Sequence, residues 1–134
     1  MTEDRLFVVR GLILAATGLI CALYGVMALI TARPDPIPFW IPGFATALSF
    51  FLIWLATAAA GPRATEQAFD EGYLADERRA QSVGFWTAVA LYPLFGLMLW
   101  LGWVSYAVTF AAMGTLMAAV YLLCVVWFDV RGRA

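Results

Sequence analysis

Any chemistry in this chain must be done without histidine, because the sequence contains none. That removes histidine-ligated haem, His-based zinc or copper sites and a histidine general base. The two cysteines, Cys21 and Cys124, form no CxxC pair, so neither a redox motif nor a zinc knuckle is indicated. Their predicted depths, one near mid-span and one a turn from a span end, are too different for a disulfide between them. No nucleophile–base pair, carboxylate dyad or phosphate loop is present. The residues therefore point to a protein that is not an enzyme, with no metal and no cofactor.

What remains are hydroxyls, one arginine and a set of small side chains. Thr46, Ser49 and Thr57 lie roughly along one side of one apolar stretch, and Thr17, Cys21 and Tyr24 form a line on another. Such groups hydrogen-bond between membrane helices, at about 0.6 kcal/mol each. A polar pocket for a lipid or quinone-like molecule is the other use they could serve. Arg10 falls about one turn inside a predicted interface, where it can snorkel outward or pair with Asp129 far along the chain. Pro93 stands mid-way along the third apolar stretch and cannot donate to the carbonyl of Val89, so a kink or loosened turn is expected there.

The small residues are spaced regularly. Gly11, Ala15, Gly18, Ala22 and Gly25 repeat at 4-3-4-3, and Ala107, Ala111, Gly114 and Ala118 at 4-3-4. Each set is a stripe along one helix face. Without a hydrophobic drive between helices in lipid, close backbone approach supplies the attraction, and small residues permit it. The two stripes are expected to pack on one another inside one bundle. The alternative is that they build a homo-oligomer or dock a larger membrane complex.

The elements that must position these residues follow from composition. Of 134 residues, 64% are hydrophobic and 13% charged, with mean hydropathy +0.87. A soluble domain is roughly half apolar and a quarter charged, and a chain this short could not bury such an excess. The lipid bilayer is the solvent that resolves it. A net charge of −1, with no basic groove or stacking platform, speaks against nucleic acid.

A helix crosses the hydrocarbon with about 20 residues. Spans are predicted at about 6–30, 39–60, 83–102 and 105–128, with a polar loop over 61–82 that carries most of the acids. Residues 83–128 hold no charge at all, and as one helix would reach about 70 Å, over twice the core thickness. The chain must fold back, and Gly102-Trp103-Val104-Ser105 is the natural break. Span one reads as retained rather than as a cleaved signal, because its apolar run is long and Ile-Thr-Ala-Arg-Pro is a poor cleavage site.

Arginine placement tests the count. Arg5, Arg10, Arg63, Arg78, Arg79, Arg131 and Arg133 fall on one side of a four-span layout, and only Arg33 on the other. The positive-inside rule then places both termini and the 61–82 loop in the cytoplasm. Trp40, Trp86, Trp100, Trp103 and Trp127 sit near predicted span ends, where amphipathic rings anchor, with Arg10 as a charged anchor beside them. The exclusive use of arginine, with much alanine, suggests a GC-rich bacterial genome and hence a bacterial inner membrane.

Two loops complete the layout. Arg33-Pro34-Asp35-Pro36-Ile37-Pro38 reads as a stiff external hairpin. Thr65 to Gln81 reads as an amphipathic surface helix, capped by Thr65, with Phe69, Tyr73 and Ala80 on one face. The expected protein is an all-α membrane protein, a four-helix transmembrane bundle in a single membrane domain. The expected role is a non-catalytic accessory, assembly or scaffold component of a membrane complex. A small transporter or lipid-binding membrane protein is the alternative, which the absence of an embedded charge disfavours for ion-coupled transport.

Overall fold

The computed structural model describes residues 2–132. Arg133, which entered the arginine count, lies outside the described residues. The chain forms α1 (Glu3–Thr31), α2 (Trp40–Ala60), α3 (Pro62–Ala68), α4 (Glu71–Trp100) and α5 (Tyr106–Gly132), with no strand among the described residues. Four of the five, α1, α2, α4 and α5, are long and apolar enough to cross a membrane. This is an all-α bundle of the membrane class, with a short helix between the second and third long ones.

The turn that hydropathy could only bracket is built by Gly102. At the end of α4 the N–H of Trp103 donates to Met98 O and that of Gly102 to Leu99 O, while Gly102 holds φ +72°. That is a Schellman stop, in which a left-handed residue lets two late carbonyls find donors. Gly61, at φ +86°, makes the other sharp bend, and Pro62 directly after it opens α3 at a position where no N–H is needed.

Between 61 and 82 the structure departs from the sequence reading. One surface helix from Thr65 to Gln81 was expected; instead the chain breaks after Ala68. Thr65 caps nothing, and its hydroxyl donates back to Gly61 O and Thr57 O at 2.9 and 3.2 Å. Asp70 is the true N-cap, accepting from Tyr73 N–H at 2.9 Å, and α4 then runs unbroken through Pro93 to Trp100. The physical reason is that the helical hydrogen-bond ladder is indifferent to the change from polar to apolar side chains near residue 83. A strong cap decides where it starts.

The long helices pack in the order α2–α1–α5–α4, with α1 against α5 and α5 against α4 the main interfaces. α2 leans on α1 and α3. Gly18 and Gly25 of α1 receive Leu123 and Leu116 of α5: a Cβ at those glycines would stand 3.0 and 2.7 Å from the two leucine Cγ atoms. Seven residues separate each pair, so the antiparallel helices repeat one knob-and-notch contact. Ala28, Ala112 and Phe95 join α1, α5 and α4 in one small core. Between α1 and α2, Thr17 and Ser49 bond to each other in the buried layer.

Candidate functional site

Two places in this arrangement combine polar or shaped features with burial, one at each end. The first is Arg10, which does not snorkel. It is 1% exposed, turned inward at the end of the bundle that carries both termini. Its Nη2 donates to Asp129 Oδ2 of α5 and its Nη1 to the carbonyl of Ala68, the last residue of α3. The guanidinium lies 3.9 Å from the ring centre of Tyr73, 4.8 Å from that of Phe69 and 5.8 Å from that of Phe7. Its Nε has no hydrogen-bond partner. A charge so far from water is tolerable only when paired, and the ring faces add electrostatic attraction on the remaining sides.

Four elements meet on that one side chain. α1 supplies Arg10 and Phe7, α5 supplies Asp129, α3 supplies the carbonyl, and the first turn of α4 supplies Tyr73. The first twelve residues of α4 hold all its charges and precede its apolar stretch. There, burial pushes the Tyr73 phenol up to about 12 against the opposing pull of the Arg10 charge. The ring therefore meets the guanidinium as a neutral π-face. Phe69 stacks edge-on to it at 5.2 Å. A polar cleft of about 410 Å³ opens beside the cluster, between Asp70, Asp76, Tyr73 and Asp129.

The second place is an apolar groove of about 930 Å³ toward the opposite end. Phe39 just before α2, Pro42 of α2, Tyr24 of α1, Phe95 and Gly96 of α4, and Ala107, Ala111 and Gly114 of α5 line it. Tyr24 is fixed by donating its hydroxyl to Pro34 O at 2.7 Å. Tyr92 and Tyr106 border the groove and are 73% and 83% exposed. Thr109 also lines it, and its hydroxyl has no hydrogen-bond partner.

The groove changes the reading of the small residues. On α1, Gly18 and Gly25 do face α5, whereas nothing lies within 4 Å of a Cβ built at Gly11; Ala15 and Ala22 are half-buried. On α5, however, Ala107, Ala111 and Gly114 turn to the groove, and a Cβ at Gly114 would likewise meet open space. Ala118 is half-buried. The two stripes do not interlock; bulky Leu116 and Leu123 fill the notches of α1 instead.

Pro93 is exposed on the outer face of α4. Trp40, Trp86, Trp100, Trp103 and Trp127 are all exposed on the bundle surface, as is Trp54. Cys21 and Cys124 are both free. Sequence reasoning missed the aromatic cage around Arg10, although the i, i+4 spacing of Phe69 and Tyr73 was its signal. It also missed the groove, which has no sequence signature because four separate elements contribute to it. Comparison with protein-family models, with characterised proteins and with solved structures finds no match to this chain.

Proposed function

We propose that this chain is a non-catalytic accessory component of a bacterial inner-membrane complex, holding a partner's membrane helix in the groove between α2, α4 and α5. The observation that carries the reading is the direction of the α5 stripe. Ala107, Ala111 and Gly114 are open to the groove rather than covered by α1. In lipid, such residues let another backbone come close, which is the main source of helix–helix attraction there. The seven-to-one arginine distribution supports a topology with both termini, α3 and the Arg10 cluster in the cytoplasm. Among the described residues the charges buried in the bundle, Arg10 and Asp129, neutralise each other, which argues against an ion-coupled cycle.

A second reading, a lipid- or hydrophobe-binding protein, draws on the volume of the groove and the three tyrosines around it. Purification in mild detergent with mass spectrometry of everything that co-purifies separates the two. The accessory reading expects a reproducible larger complex that Gly114→Leu dissolves while the protein itself persists. A lone species carrying one stoichiometric lipid or small molecule would sink it in favour of the second.

A further inference from the structure

The segment 61–70 has the form of a strap across the termini end of the bundle, and Arg10 fastens its far end. α3 is only seven residues long and packs against α1 and α2. Its beginning is tied by the Thr65 hydroxyl to the carbonyls of Thr57 and Gly61. Its end is a different matter. Had the helix continued, Ala68 O would have accepted from the N–H of Gly72; the break at 69–70 removes that donor. Ala68 is 0% exposed, so water cannot replace it. Arg10 Nη1 supplies the missing hydrogen bond.

Asp129 governs whether Arg10 is there to supply it. The carboxylate holds Nη2, which leaves Nη1 aimed at Ala68. A buried guanidinium deprived of its counter-ion is strongly disfavoured and moves toward water, for which the polar cleft beside Asp129 gives a route. Docking of the strap is thereby conditional on α1 and α5 being closed at this end, since one side chain must make both contacts at once. We propose that segment 61–70 is a conditional strap with Arg10 as its latch, docked when the α1–α5 ion pair is closed and released when it opens. Coupling of this kind is reciprocal, so a partner that pulls the strap away also loosens the ion pair. The device does not depend on what occupies the groove.

Hydrogen–deuterium exchange of the full chain in lipid nanodiscs tests it. Asp129→Asn keeps the shape and removes the counter-charge. Arg10→Lys keeps the charge for Asp129 but loses the fork that reaches Ala68. Both are expected to speed exchange over 61–70 about tenfold or more, with the middle turns of α1 and α5 as protected as before. Asp129→Glu should restore protection of the strap. Unchanged exchange over 61–70 in the first two variants would overturn the proposal. So would a uniform rise across all helices, or loss of the whole bundle in Arg10→Lys, because either makes the pair a general scaffold element.

Discussion

At position 10 the chain places a full positive charge where water does not reach, and the energetics of that choice are lopsided. Removing one partner of a buried pair strands the other, whereas removing both does not. Asp129→Ala should therefore destabilise the closed end of the bundle around Arg10 by about 3–5 kcal/mol, and Arg10→Met with Asp129→Leu together by much less. Amide exchange at the start of α1 and the end of α5 reads the difference; equal losses in the single and double variants would contradict the pairing. A second residue-scale contrast lies in the glycines. Gly25→Leu pushes atoms into Leu116 and Thr115, already 2.7 and 2.8 Å from an ideal Cβ, and should cost about 1–3 kcal/mol. Gly114→Leu enters open space and should stay within about 0.5 kcal/mol of the parent in the same assay. The Arg10–Asp129 pairing was among the alternatives visible in the sequence, because both fall near the same end of a four-span layout. Its burial was not, since that depends on Ala68, Phe69 and Tyr73 arriving from a segment whose position no periodicity fixes.

Among the elements, the apolar cores of the four long helices could be read directly, because hydrocarbon demands a run of about 20 apolar residues and the chain supplies four. Their ends could not. α4 begins at Glu71, twelve residues before the apolar run starts, because Asp70 accepts from the Tyr73 N–H. Asp70→Ala should cost about 1 kcal/mol and fray 71–74 selectively, seen as faster amide exchange there with the rest of α4 unaffected. The stripe on α5 shows a different limit. Spacing established that Ala107, Ala111 and Gly114 share a face, but a helix can be rotated about its axis without altering its sequence. The bulk of Leu116 and Leu123 decided the rotation, by fitting the notches at Gly25 and Gly18.

For the molecule as a whole, the open order α2–α1–α5–α4 leaves α2 with a face of Phe44, Phe50, Phe51 and Trp54 turned outward. The structure brings the start of α1, the end of α5 and α3 to one end through Arg10, and arginine placement supports calling that end cytoplasmic. Single cysteines in a Cys21- and Cys124-free background give the check. Asp35→Cys should react with a membrane-impermeant maleimide in intact cells, and Thr2→Cys and Gln67→Cys only after permeabilisation. Labelling of all three in intact cells would refute the orientation. The count of long apolar helices needed only hydropathy and the length of the charge-free run, whereas their order in space rests on side-chain fit that hydropathy does not encode.

The uninterrupted α4 has a mechanical consequence. Its 30 residues measure about 45 Å, and the twelve that precede its apolar stretch project roughly 18 Å from it. That projection is a rigid lever rather than a tether. Its charged outer arm and the groove-wall residues Phe95 and Gly96 belong to one continuous helix. The ladder has one compliant joint on the way, Pro93, where the carbonyl of Val89 loses its donor. Pro93 thus puts the missing rung of the α4 ladder within one turn of the groove wall at Phe95 and Gly96.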